Sequence, residues 1–282
     1  MLPTFIIGLR EGLEASLIVG IIAAFLIQRR ERSALRPMWY GVGLAVAFCA
    51  GAAAILEALD RALPHAQQEG LATVLSLLAV AGVTYMVVWM KRHSRELKGS
   101  LERSAESALR LGSTWALVGM AFFAVLREGL ETAVFLLAVF GNSTEPAATG
   151  TGAFLGIAVA IGLGFAIYKG GVRINLSRFF RFTGFVLVLV AAGLLATAVH
   201  TAHEAGWMDA LGAQAFDIRW LVATGTVRAA LLTGMLGLQP VPTVGETLAW
   251  LVYAVPMALY VLWPARRPAR TERRPSPITV AS

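Results

Sequence analysis

The chain has 282 residues, 57% of them hydrophobic and only 15% charged, with a mean hydropathy of +0.69 and a formal net charge of +7. Such a balance excludes an ordinary soluble domain, and the single cysteine, Cys49, can form no internal disulfide. The basic excess does not point to nucleic acid, because nineteen of the twenty-four Lys and Arg residues fall in four short segments between apolar runs.

Apolar runs of membrane-crossing length occur seven times, at residues 3–28, 38–60, 70–90, 114–140, 150–170, 182–205 and 245–263. They predict an all-α integral membrane protein with seven transmembrane helices over residues 1–263 and lipid as its surroundings. The tail at 264–282, with five arginines and four prolines after the last span, is expected to be cytoplasmic and disordered. The chain opens Met1-Leu2-Pro3-Thr4-Phe5, without a basic leader or a small-residue cleavage site, so the first run is expected to be a retained span rather than a signal peptide.

Segments 29–37, 91–112, 169–181 and 264–282 hold four, six, four and five basic residues, whereas the intervening connections hold only Arg61, Arg219 and Arg228. The positive-inside rule then puts the N-terminus outside and the C-terminus in the cytoplasm, as an odd number of spans requires. The longest connection, 206–244, is external. Its apolar stretch from Trp220 to Leu238 is interrupted by Arg228 and several glycines, which favours an interfacial or re-entrant segment over an eighth span.

Two of the spans carry charge in their interiors. Leu9-Arg10-Glu11-Gly12-Leu13-Glu14 returns as Leu126-Arg127-Glu128-Gly129-Leu130-Glu131. A charge at bilayer depth costs about 2.5–3.5 kcal/mol on the insertion scale, so six unpaired ones would cost on the order of 15–20 kcal/mol. With about 100° per residue, Arg10, Glu14 and Glu11 fall near 0°, 40° and 100° on one helix face, and Gly12 and Leu13 lie opposite. Glycine there allows close approach of a neighbouring helix. Glu11 and Glu128 are 117 residues apart and enclose three spans, which reverses direction in the membrane. Spans 1–3 and 4–6 are therefore expected to form an inverted repeat with the site at its interface and span 7 outside it.

If the two faces meet, four carboxylates and two guanidiniums come together with a formal charge of −2. Hard oxygen ligands with net negative charge suit a cation such as Mg, Ca, Mn or iron, and Glu11, Glu14, Glu128 and Glu131 are the candidate ligands, supported by Arg10 and Arg127. The plainer reading is that each arginine pairs its glutamate at i+4 and anchors helix packing. Two copies in opposed helices favour the cation site.

The paired Arg-Glu-x-x-Glu motifs resemble the signature of the oxidase-dependent iron transporter family, the iron permeases of fungi and of bacterial Efe-type uptake systems. The resemblance extends through Tyr85-Met86-Val87-Val88-Trp89-Met90, His203-Glu204-Ala205-Gly206-Trp207, and Gly234-Met235-Leu236-Gly237 followed by Pro242 and Glu246. It implies a seven-span permease of the bacterial inner membrane that carries iron inward past the six motif residues. Iron would be the transported substrate, with no permanently bound cofactor. The −2 cluster favours ferrous ion, and fungal relatives leave ferric ion open. An Efe-type system further implies a periplasmic iron-binding protein and a haem peroxidase as partners.

Other polar groups lie near the external ends of spans. His200, His203 and Glu204 form either an entry site for iron or a polar helix cap. Glu57, Asp60 and Glu246 add negative charge at the mouth or are simply solvated, and Glu145 is assigned no role. Tyr85, Met86, Trp89 and Met90 are assigned to packing and an interfacial aromatic belt rather than to a soft-metal site. His-x-x-His-Glu is not the order of zinc proteases. A retinal protein would need a lysine in span 7, and the three lysines, Lys91, Lys98 and Lys169, all lie at cytoplasmic segments. A cation/proton exchanger for an ion such as manganese and a membrane-embedded metalloenzyme remain the alternatives.

The topology is tested with Cys49 replaced by Ser and single cysteines placed at Ser33, Ser104, Ser143 and Ser276. An impermeant thiol reagent added to intact cells is expected to label only position 143. Labelling at position 104 would overturn the span count.

Overall fold

A computed structural model of the chain describes residues 1–93, 114–141, 146–169, 176–208, 212–220 and 239–263, with single positions at 103, 107, 232 and 236. Among these are seven long helices, α1 (Leu2–Gln28), α2 (Leu35–Ala62), α3 (His65–His93), α4 (Thr114–Gly141), α5 (Pro146–Tyr168), α6 (Leu176–Glu204) and α7 (Val244–Leu262). The tail at 264–282, Glu145, and most of the stretch from Trp220 to Leu238 lie outside the described residues.

Six of the helices are long and apolar enough to cross a membrane. The other, α4, has 28 residues, but every stretch of 18 within it contains Arg127, Glu128 and Glu131, which lowers its apolar character without shortening it. Helix starts follow the local chemistry: Pro3, Pro37, Pro64, Pro146 and Pro242 stand at or within three residues of the starts of α1, α2, α3, α5 and α7. Proline fits there because the first helical N–H groups have no intrahelical acceptor. α1 ends with Arg30 at φ 63°, Arg30 N–H donating to Ile27 O at 3.0 Å and Glu31 N–H to Leu26 O at 2.9 Å. α6 closes the same way around Gly206 at φ 73°, with Trp207 N–H donating to Ala202 O at 2.9 Å. That turn returns the Trp207 ring onto α3, where it fills the space beside Gly70.

The helices pack in pairs. α1 lies along α5, α2 along α4, and α3 along α6, while α7 leans on α6 and α1 meets α4 at the centre. The central apolar cluster runs through α3, α4 and α6 and takes in Met86, Phe135, Leu187, Val188 and Ala191. α2, by contrast, leaves Leu44, Phe48 and Ile55 exposed, a surface suited to lipid. Small residues set the closest approaches. A Cβ on Gly8 would stand 2.7 Å from Ala153 O, and one on Gly156 would stand 2.8 Å from Leu9 N. Thr4 reinforces the α1–α5 seam by donating to Thr149 O at 2.8 Å.

α7 is fastened at both ends. At its start Thr243 and Glu246 form a reciprocal capping box, Glu246 N–H donating to Thr243 Oγ1 at 3.2 Å and Thr243 N–H to Glu246 Oε2 at 3.4 Å. At its end the ammonium of Lys91, from α3, donates to Trp263 O at 2.9 Å and also to Tyr260 O, capping carbonyls that the helix leaves unpaired.

Gly156→Val is expected to destabilise the protein by about 1–3 kcal/mol through overpacking of the α1–α5 seam. Gly43→Ala, where an added Cβ meets nothing within 4 Å, should leave stability unchanged or raised. Thermal unfolding in detergent distinguishes the two.

Candidate metal centre

The motif residues lie well inside their helices, and α1 and α4 pack against each other, so the two charged faces share one interface. One oxygen from each of Glu11, Glu128 and Glu131 comes within 4.8 Å of the other two. Glu11 is 1% exposed and Glu128 5%. Both oxygens of Glu11, Oε2 of Glu128 and Oε2 of Glu131 are buried without a hydrogen-bond partner among the described residues. Buried carboxylate oxygens are normally satisfied, and three acids at this range repel one another. A hard cation among them would answer both conditions, since it accepts oxygen ligands and supplies the opposite charge.

Glu14, the fourth motif acid, is held by its own arginine. Its Oε1 accepts from Arg10 Nε at 3.2 Å, and the arginine is 1% exposed. Arg127 Nε donates to Glu131 Oε1 at 3.1 Å and lies 3.8 Å from Glu128 Oε1, with its side chain 44% exposed. The i,i+4 pairing therefore occurs in both copies. It leaves the convergence of Glu11, Glu128 and Glu131 intact: Glu14 and Glu131 are each held by their own arginine, and one oxygen of Glu131 lies in the close set with Glu11 and Glu128.

Motif glycines occupy the opposite faces. A Cβ on Gly12 would come within 2.9 Å of Ala160 Cβ on α5, and one on Gly129 within 2.6 Å of Cys49 Sγ on α2. Each charged helix is thus backed by a close neighbour that keeps its acidic face turned inward.

The remaining candidates separate into different places. His200 Nδ1 is 3.0 Å from Glu246 Oε1 and its Nε2 is 3.4 Å from Glu204 Oε1, so this ring bridges α6 and α7 between two carboxylates. His203 Nδ1 instead faces Val199 O at 2.9 Å. Ligation by His200 would require one of its two contacts to open. Glu57 and Asp60 line a crevice between α2, α3 and α4, away from Glu246. Two features escaped the sequence reading. Thr243-x-x-Glu246 carries a capping-box signal that explains Glu246 locally, and Trp89, assigned to packing, lies under Arg127 with the guanidinium carbon 5.3 Å from its ring centroid.

Comparison with known proteins decides the family. The model of the iron permease FTR1 family matches residues 1–268. The chain belongs to this family. It is 40% identical over 278 residues to the ferrous iron permease EfeU of Escherichia coli O157:H7, covering 97% of this chain and 99% of the relative. It is 39% identical over 271 residues to the ferrous iron permease EfeU of Yersinia pestis, covering 95% and 96%. No solved structure matches. An iron permease built of long apolar helices is a multi-pass membrane transporter.

The two arginines differ in burial, and their substitutions should differ accordingly. Arg10→Ala leaves Glu14 buried without its partner and is expected to cost about 3–5 kcal/mol. Arg127→Ala, at a half-exposed site, should cost clearly less. Lys should partly rescue each, because it keeps the charge but loses the planar fork. Folded yield and thermal unfolding of the purified variants check the order; equal losses at the two positions would contradict it.

Proposed function

We propose that this protein moves iron, ferrous ion in preference to ferric, from the outside to the cytoplasm across a bacterial inner membrane. The ion passes the carboxylates of Glu11, Glu128 and Glu131, with Glu14 and the two arginines adjusting charge around them. The observation that carries this reading is the convergence of the three acids together with their buried, unbonded oxygens. With every motif group ionised the six sum to −2, which one dication neutralises and a trication overshoots. The relatives' description as ferrous iron permeases favours the same ion. Iron is cargo here, and no resident cofactor is needed.

The permease domain is residues 1–263, with seven spans, the N-terminus outside and the tail at 264–282 in the cytoplasm. α1–α3 and α4–α6 form the inverted repeat, and α7 stands outside it. Support comes from contacts that recur at constant offsets. The space beside Gly152 of α5 is taken by Met1 and Thr4 of α1, and that beside Gly41 of α2 by Val118 and Ala121 of α4; Gly12 meets Ala160 as Gly129 meets Cys49. The α1 and α4 positions differ by 117 residues and the α2 and α5 positions by 111. A cation site between opposed repeats suits alternating access, because the ion can stay in place while one repeat rocks against the other. The His200, Glu204 and Glu246 group, at the end of the bundle where α6 finishes and α7 begins, is the entry candidate. The Efe-type resemblance supplies the external partners, an iron-binding protein and a haem peroxidase.

Uptake into proteoliposomes, run separately with ferrous and ferric ion and with an imposed pH gradient, tests the reading. Gln at Glu11, Glu14, Glu128 or Glu131 keeps the shape but removes anionic oxygen, and each is expected to reduce ferrous uptake to background while leaving folded protein in the membrane. Normal uptake by all four variants, or manganese transported as well as iron, would end it.

A further inference from the structure

Trp89 lies in the last turns of α3, outside both motifs. Its ring lies beneath a guanidinium that also reaches two of the three converging carboxylates, Glu131 at 3.1 Å and Glu128 at 3.8 Å. A cation entering the trio must draw on those same carboxylates, so Arg127 competes with it directly. Arg10 is placed differently. It pairs with Glu14, which is not one of the three, and among the described residues no aromatic ring is recorded over it. The position on α6 that lies 111 residues beyond Trp89 is His200, whose ring is engaged by Glu204 and Glu246. Only the arginine that competes for the converging acids has an aromatic face to rest on.

We propose that Trp89 is a positioning residue of the iron site, holding Arg127 while Glu128 and Glu131 turn to the ion. The proposal rests on the iron-site reading of the three acids. An aromatic face attracts a guanidinium through the negative charge of its π-cloud, and the attraction grows where water is scarce. With that face removed, the carboxylates of Glu128 and Glu131 remain the charged partners of the guanidinium. Its pairing with Glu128 and Glu131 tightens, and the ion then has to displace it. The role is one of affinity, and it passes through Arg127.

The full-length protein, purified in detergent and titrated with Fe(II) under anoxic conditions, supplies one readout, and proteoliposome uptake the other. Trp89→Leu is expected to raise both the Kd for Fe(II) and the KM for uptake about five- to tenfold, with little change in kcat. Trp89→Phe keeps a ring face and should stay within about twofold of wild type. In an Arg127→Gln background, where the competitor is absent, Trp89→Leu should change Fe(II) binding no further. Wild-type binding by Trp89→Leu, equal impairment by the Phe and Leu variants, or the same loss from Trp89→Leu with and without Arg127 would each overturn the proposal. Failure of the wild-type protein to bind Fe(II) would sink the iron-site reading itself, whereas the three outcomes just named leave that reading standing.

Discussion

The fold depends on keeping acidic side chains inside an apolar slab. Glu11 and Glu128 are almost fully buried, and an isolated carboxylate at bilayer depth costs about 2.5–3.5 kcal/mol on the insertion scale. Two conditions make the arrangement tenable. Each motif brings its own arginine at i−4 to the last glutamate, so part of the charge is neutralised within one helix before any neighbour arrives. The two motif helices also face each other, so the remaining acids are turned away from lipid.

From that constraint the packing of the other helices follows. A charged face can be kept inward only if the opposite face is closely backed, and the backing is close because it is made at glycine: α5 against Gly8 and Gly12, α2 against Gly129. Apolar bulk would serve poorly there, since lipid is as apolar as leucine and offers no drive for helices to associate. Packing shape and backbone approach supply it instead. α3 and α6 then close the bundle around a cluster of aliphatic side chains, and α7 is held by a side-chain cap at one end and a lysine at the other.

The two halves are alike in plan but unequal in detail. Arg10 is fully enclosed, whereas Arg127 is half-exposed and shared among Glu131, Glu128 and Trp89. A symmetrical pair of motifs would present a cation with identical surroundings from both sides. In this structure the α4 side is the more accessible.

The sequence by itself determined the elements and their chemistry. Twenty-residue apolar runs demand helices because backbone groups in lipid must be satisfied within their own segment, and a charged motif repeated within two of them marks a functional interior. The ends of the apolar runs placed most boundaries within a few residues. The sequence also marked all six motif residues, since i, i+1 and i+4 share a helix face whatever the surroundings. Only the tertiary structure decided which acids converge. Glu14 and Glu131 occupy the same place in their motifs and each pairs with its own arginine, yet it is Glu131 that joins Glu11 and Glu128 in the close set, because the distance between opposed helices depends on contacts made elsewhere, at Gly12, Gly129, Ala160 and Cys49. It likewise separated His203 from His200, placed Glu246 beside the latter, and brought Trp89 under Arg127. These are meetings between helices far apart in the chain, and helical periodicity, which relates residues only a few positions apart, carries no information about them.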